Sequence, residues 1–197
     1  MKGNWLKMYD KLGLLLRVET VINQPGEFKV LRECQHRDGS KSMGWFPMCK
    51  GVGNLHHYQS HALACNQRYL AALTAVEDPT PNYDQLKKLT ESVTCNKRRY
   101  AGFNPAREEE VRIFAAVLAG DHIAQGFRNK DIRENLYAER ATASTRRRQS
   151  AAVGRLLKRL HVRALISKVP HTRRWRVTDP GRRILTGALK IYHAQVA

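Results

Sequence analysis

This sequence has few acidic residues for its basic ones and no long apolar run. No stretch approaches the roughly 18 apolar residues of a membrane-spanning helix, so a membrane span is excluded. The N-terminal residues 1–7 contain no apolar secretion core, and we therefore expect a cytoplasmic protein. Only 17 Asp and Glu stand against 35 Lys and Arg, which gives the 197 residues a net charge of +18. Such an excess indicates a polyanionic partner, nucleic acid first.

The patterns of common catalytic and metal sites are missing too. None of the four cysteines, Cys34, Cys49, Cys65 and Cys95, is part of a Cys-x-x-Cys pair, and we expect reduced thiols. No Ser-His-Asp set, paired carboxylates or phosphate-binding glycine loop can be placed. We therefore predict no catalytic residue, no metal site and no cofactor, and favour a binding protein over an enzyme.

The basic residues are concentrated in the C-terminal half. Residues 1–103 contain 15 basic and 9 acidic side chains, whereas residues 104–197 contain 20 basic and 8 acidic ones. Between Arg140 and Arg183 there are 14 basic residues and one acidic residue, Asp179. Most are arginines, whose planar guanidinium suits phosphate oxygens and guanine edges. A charged surface without a binding role usually mixes both signs.

Alternating apolar residues and turn signals predict β structure in residues 1–53. The simplest arrangement is a four-stranded antiparallel meander with strands at 6–11, 14–22, 27–35 and 41–46. Its tightest turns are expected at Leu12-Gly13 and Asp38-Gly39. Residues 54–103 are predicted to form a helical segment, with helices at 54–76 and 83–92, and an irregular basic linker at 94–103.

The pattern of residues 104–197 predicts a mainly helical winged domain. Together with the β-rich region 1–53, it makes the whole chain α+β. The first helix is expected to be capped by Asn104, with Pro105 at its first position. Two more helices follow, from Asn129 and from about Ser144 to His161. Strands at 165–169 and 175–178 flank a basic loop, and Asp179 opens a last helix.

This order of elements resembles the winged helix-turn-helix of MarR-type DNA-binding modules. The likeness is clearest in Val153–Leu160, Ala164–Val169 and Arg174–Leu185, where Thr178, Gly181 and Arg182 stand at the family's Thr-x-x-Gly-Arg positions. The resemblance implies that the domain has a recognition helix and a wing, and that its partner is double-stranded DNA. Modules of this type also imply a possible homodimer. The chain departs from the family in having a β-rich N-terminal region instead of a clear dimerisation helix.

The third helix of this domain separates apolar from basic residues. On a helical wheel Val153, Leu156, Leu157 and Leu160 share one side, and Ala151 lies on the opposite side among basic residues. We predict that Arg147 and Arg148 reach base edges and that Arg155, Lys158 and Arg159 meet phosphates. Arg173 and Arg174, at the tip of the wing, are expected over the backbone or minor groove. The predicted DNA-binding residues are Arg146, Arg147, Arg148, Arg155, Lys158, Arg159, Arg173, Arg174 and Arg176. The alternative is a merely solvated basic face.

Three functions follow from these patterns. The leading one is a winged-helix DNA-binding protein, a transcriptional regulator or a DNA-binding protein of a mobile element. The alternative is a fragment of a metal-dependent DNA-nicking protein, since residues 6–11 and 16–19 are distantly similar to paired strands in replication initiators of filamentous phages and rolling-circle plasmids. That similarity implies Glu19 as a metal ligand and Tyr9 or Lys11 facing DNA, whereas an ordinary hairpin explains the same residues. A basic RNA-associated protein is the third.

Two features of the predicted helix 54–76 invite other interpretations. His57, His61 and Cys65 follow one another at four-residue spacing, but three such residues span too far for one tetrahedral zinc site. We expect them to be packed or half-exposed residues. Tyr69 has the chemistry of a transesterifying nucleophile, yet its place in the apolar stripe favours packing.

Overall fold

The computed structural model describes residues 3–77, 83–137 and 142–196. It confirms an α+β protein, with antiparallel hairpins first and helices after them. The described chain forms two compact units. The first unit extends to Leu70 and includes Ile123–Gln125 and Pro170–Thr172; the second unit comprises Ala71–His122, Gly126–Val169 and the chain from Arg173 onward. These units divide the chain elsewhere than the predicted regions 1–53, 54–103 and 104–197.

The first unit begins with two β-hairpins. Strand β1 (Asn4–Lys11) pairs with β2 (Leu15–Ile22), and β3 (Lys29–Gln35) pairs with β4 (Lys41–Pro47). The predicted turns are confirmed: Leu12 and Gly13 have φ of 61° and 67°, and Gly39 has φ of 82°. The Asp10 carboxylate accepts the Gly13 N–H at 3.0 Å, which stabilises the first turn.

The predicted four-stranded meander is wrong, because the hairpins form two separate two-stranded sheets. The connection between them folds into a 3₁₀ turn, Pro25–Glu27, in which proline lacks an N–H to donate. The Asn4 side chain also bonds both backbone groups of Gln24, donating to its carbonyl at 3.2 Å and accepting its N–H at 3.0 Å. Backbone groups used in this way cannot extend a ladder from β2 to β3.

Helix α1 (Leu55–Glu77) packs on these hairpins with its first part. The core of the first unit is small and consists of Phe28, Val30 and Met48, with Ile22 and Tyr58 against it. Arg68 of α1 donates to the carbonyls of Ile123 and Ala124, at 3.0 and 2.8 Å. Burial lowers the pKa of this guanidinium, which nevertheless stays charged at neutral pH.

The predicted irregular linker at 94–103 is wrong. After helix α2 (Tyr83–Thr90), strands β5 (Val93–Cys95) and β6 (Arg98–Tyr100) form a short hairpin. Its turn residues Asn96 and Lys97 have φ of 49° and 61°, the conformation that two-residue hairpin turns need. Strands of three residues are too short to show a period of two, so sequence periodicity could not reveal them.

The rest of the second unit follows the predicted order of elements. The bounds are α3 (Glu108–Leu118), α4 (Asn129–Leu136), α5 (Ala143–His161), β7 (Ile166–Lys168), β8 (Trp175–Val177) and α6 (Asp179–Val196). The prediction that Asn104 caps α3, with Pro105 at the first helical position, is wrong. The Asn104 side chain accepts the Ala106 N–H in a turn that precedes the helix. The helix instead begins after Arg107, and its three glutamates complement the positive N-terminus.

A large core joins these elements. Its centre is formed by side chains with no more than 2% exposure: Leu89, Phe103, Phe114, Val117, Phe127, Ile132, Val153, Leu157, Leu160, Leu165, Ile166, Leu185 and Ala188. Phe103 meets the edge of Phe114 with ring centroids 5.5 Å apart.

In the three described ranges, none of the helices has the length and apolar character that a membrane span requires.

Candidate nucleic-acid interface

Helix α5 presents its basic residues to solvent. Thr142 caps the helix, its hydroxyl accepting the Thr145 N–H at 3.3 Å. Of the predicted apolar stripe, Val153, Leu157 and Leu160 are buried, while Leu156 is partly buried against the same core. The opposite side, which we call the basic face of α5, consists of the exposed residues Arg147, Arg148, Arg155 and Lys158. Arg146 is exposed as well, but it lies seven residues before Val153 and therefore in line with the buried stripe. Within the described part of the chain, no ion pair engages Arg146 or the four side chains of the basic face.

Helix α4 holds α5 in a defined orientation. The Asn129 side chain donates to the Ser150 carbonyl at 2.9 Å and accepts the Ser150 hydroxyl at 3.0 Å. Ile132, fully buried on α4, belongs to the same core as Val153. Because two hydrogen bonds and an apolar contact join the helices, the basic face is presented by a rigid support.

Arg159 is not part of the basic face. Its guanidinium pairs with Glu110 at 3.0 Å, donates to the Ala101 and Gly102 carbonyls, and lies 4.0 Å from the centre of the Phe103 ring. In the structure, the guanidinium that the sequence assigned to a phosphate is therefore occupied by contacts within the protein. By helical geometry Arg159 lies at the margin of the basic face, and the sequence does not show which distant segment packs against that margin.

Arg163, which the sequence analysis did not single out, has a related role. Its guanidinium donates to the carbonyls of Glu91, Tyr100 and Ala101, at 2.7, 3.2 and 2.9 Å. Burial lowers the pKa of Arg163, and the nearby charge of Arg159 lowers it further. No local pattern marks an arginine that binds carbonyls distant in sequence.

The β7–β8 hairpin is extended by a third segment. Phe127 and Trp175 exchange backbone hydrogen bonds of 2.9 and 2.8 Å, so a residue between α3 and α4 pairs with β8. Gly126 makes this approach feasible: its φ is 76°, and a Cβ there would lie 2.3 Å from the Trp175 carbonyl oxygen.

The three arginines predicted to bind DNA from the wing, Arg173, Arg174 and Arg176, differ in their exposure to solvent. Arg173 is exposed, whereas Arg174 is only 6% exposed and donates to the Gly126 carbonyl at 3.3 Å. Val169 N–H bonds the Arg174 carbonyl at 3.0 Å, which places Arg174 on the hairpin stem instead of the tip. Arg176 is half-buried, with its Nε shielded from solvent. Of the three, Arg173 is the one whose side chain is exposed.

The Thr-x-x-Gly-Arg positions serve the packing of α6. The Thr178 hydroxyl donates to the Ala164 carbonyl at 2.7 Å and accepts the Gly181 N–H at 3.0 Å, capping the helix. A Cβ at Gly181 would lie 2.0 Å from the Leu165 carbonyl oxygen. Burial lowers the pKa of Arg182, and Asp179 partly opposes this.

The residues of the nicking alternative are not assembled into a metal site. Glu19 pairs with Arg17 at 2.7 Å, and Lys11 and Tyr9 are exposed on the hairpin. Nowhere in the described ranges do three His, Cys, Asp or Glu side chains form a group that could hold a metal ion.

The residues of α1 that invited other interpretations lie in packing positions. Cys65 is 2% exposed, and the His61 ring lies 4.6 Å from that of Phe28. The Tyr69 hydroxyl donates to the Met8 sulfur at 3.1 Å. These contacts favour the packing interpretation over a zinc ligand or a nucleophile.

Comparison with protein-family models, with curated proteins and with solved structures finds no match to this chain. Its function has to be inferred from the basic face of α5, the adjoining hairpins and the contacts that hold them. These contacts lie within the second unit.

Proposed function

We propose that the protein binds double-stranded DNA by placing the basic face of α5 in the major groove. The observation that carries the proposal is a set of four exposed basic side chains, without ion pairs in the described chain, on a helix whose opposite side buries Val153, Leu157 and Leu160. The major groove of B-DNA is about 12 Å wide and admits one α-helix. A solvated face without a ligand would ordinarily carry acidic partners as well.

The surrounding elements support a winged helix-turn-helix arrangement. Helices α3, α4 and α5 are followed by the β7–β8 hairpin, to which Phe127 adds a third paired segment. In this arrangement α4 and α5 are the helix-turn-helix pair, and α5 is the recognition helix. Arg173 and the exposed Lys168, which lies 4.8 Å from the Trp175 ring centre, would contact phosphates from the hairpin.

The proposed contacts differ along α5. Arg147 and Arg148, near the N-terminus, are assigned to base edges, where bidentate bonds to guanine are the commonest specific contact. Arg155 and Lys158 are assigned to phosphates. Ala151 and Gly154 are exposed between them and have little bulk, so the helix can approach the groove floor closely. The biological setting proposed is transcriptional regulation or the DNA transactions of a mobile element.

Charge reversal on the basic face tests this proposal. Arg148→Glu/Arg155→Glu should weaken binding to a mixed-sequence duplex by at least about a hundredfold at low salt, because two phosphate or base contacts become repulsive. Fluorescence anisotropy measures the change, and circular dichroism checks that the variant is folded. The matched control is Arg37→Glu/Lys50→Glu, which makes the same charge change at exposed residues of the first unit. Equal affinities of the two variants would overturn the proposal.

Selection from random duplexes then identifies sequence preference and assembly. A motif of two inverted half-sites about one helical turn apart would indicate a homodimer.

Competition with double-stranded and single-stranded RNA separates the DNA-binding proposal from the RNA-associated alternative. A preference for RNA would contradict duplex DNA as the ligand.

A further inference from the structure

The β5–β6 hairpin is a second concentration of basic residues in the second unit. Lys97, Arg98 and Arg99 follow one another at its turn and are exposed. No acidic residue occurs between Ser92 and Phe103. Arg99 Nε donates to the Ser92 hydroxyl at 3.1 Å, a contact that leaves its charge without an anionic partner among the described residues.

The hairpin is fixed to the recognition helix by its own backbone. Arg159 of α5 donates to the Ala101 and Gly102 carbonyls, and Arg163 donates to the Tyr100 and Ala101 carbonyls. Phe103, directly after these residues, is 1% exposed in the core. The end of β6 therefore has a defined position beside the C-terminal part of α5, so the basic turn is part of the same rigid unit.

The anchoring point lies next to the basic face of α5. Arg159 follows Arg155 by one helical turn, which is about 6 Å along the axis and about 40° around it. Lys97 is three residues before Tyr100, which places its Cα no more than about 10 Å from the anchored segment in an extended strand. These distances are comparable with the width of a DNA groove, about 12 Å for the major groove.

We propose that the β5–β6 hairpin is an additional DNA-backbone contact, in which Lys97 and Arg98 bind phosphates beside the groove that α5 occupies. The inference rests on the proposed DNA binding by α5 and extends its footprint at the C-terminal end of the helix. Charge complementarity identifies the ligand as phosphate, because Lys97, Arg98 and Arg99 are three consecutive exposed cations with no acidic residue between Ser92 and Phe103. The hairpin thus adds affinity without sequence preference.

The test uses a neutral hairpin variant, Lys97→Asn/Arg98→Gln. Asparagine tolerates the positive φ at position 97, and both side chains are exposed, so the turn should be retained. Anisotropy with a mixed-sequence duplex is recorded over a range of NaCl concentrations. Two lost phosphate contacts should reduce the slope of log affinity against log salt by about 1.8. The control Arg37→Gln/Lys50→Asn should leave the slope unchanged.

Footprinting distinguishes this inference from the proposed function. Hydroxyl-radical footprints of the hairpin variant should lose protection at one edge, while the base preferences measured by selection stay the same. An unchanged salt slope and an unchanged footprint, together with lost binding in Arg148→Glu/Arg155→Glu, would overturn the hairpin contact alone. Retained binding in the Arg148→Glu/Arg155→Glu variant would overturn the α5 proposal instead.

Discussion

The two compact units differ in how completely they cover their apolar side chains. The first unit has a core cluster of three buried residues, Phe28, Val30 and Met48, whereas the core of the second unit connects five helices and the β7–β8 hairpin. Among the described residues, all the exposed large apolar side chains except Leu73 and Ile191 belong to the first unit. A two-stranded sheet has two faces and few neighbours to cover them, while amphipathic helices can close around one centre. The second unit is therefore the better independent folding unit.

The largest expected effect is in the core of the second unit. Phe114→Ala should lower the free energy of unfolding by about 3–5 kcal/mol, because a fully buried ring is replaced by a cavity. Urea denaturation followed by circular dichroism measures the loss. Phe114→Leu, which keeps most of the volume, should lose much less. If the alanine variant unfolds at nearly the wild-type urea concentration, the second unit is less tightly packed than the structure indicates.

A smaller effect tests how closely α6 approaches β7 in the same unit. Gly181→Ala should lower the free energy of unfolding by about 1–3 kcal/mol, since the new methyl group would clash with the Leu165 carbonyl and force a backbone shift. The melting temperature should fall accordingly. Gly120→Ala is the matched control, because nothing lies within 4 Å of a Cβ there. Similar melting temperatures for both variants would contradict this close packing.

The smallest effect is expected at the tip of the first hairpin. Leu12 and Leu14 are 93% and 88% exposed, so Leu12→Ser/Leu14→Ser should change the free energy of unfolding by no more than about 0.5 kcal/mol. Size-exclusion chromatography should show less self-association, because an exposed apolar patch is reduced. A marked loss of thermal stability would show that these leucines are covered in solution and would weaken the contrast between the units.

Local patterns predicted the elements with strong periodicity or strong turn chemistry. The buried stripe of α5, the turns at Leu12-Gly13 and Asp38-Gly39, and the order of elements after residue 104 agree with the structure. The β5–β6 hairpin was missed, because its strands are too short to show alternation. The continuous meander was wrong, because Asn4 and the Pro25 turn direct the chain away from a shared ladder.

The candidate site was predicted only in part. The exposed residues of the basic face and Arg173 lie at the surface as expected. In the sequence, Arg159, Arg174 and Arg176 cannot be told apart from the exposed arginines. In the structure, Arg159 binds a carbonyl and the Glu110 carboxylate, Arg174 binds the Gly126 carbonyl, and Arg176 lies half-buried on the hairpin stem. A guanidinium binds a backbone carbonyl as readily as a phosphate, so its role depends on which group lies nearby.

The amino-acid sequence alone determined the α+β class, the concentration of positive charge and the separation of apolar and basic residues around α5. These properties depend on composition and on neighbours within one or two helical turns, which a linear pattern contains. The tertiary structure decided which strands pair, which arginines remain exposed and that the β5–β6 hairpin lies beside α5. Those outcomes depend on contacts between residues tens of positions apart, such as Arg163 with Tyr100 or Phe127 with Trp175. Only the folded chain brings their hydrogen-bonding groups within reach of each other.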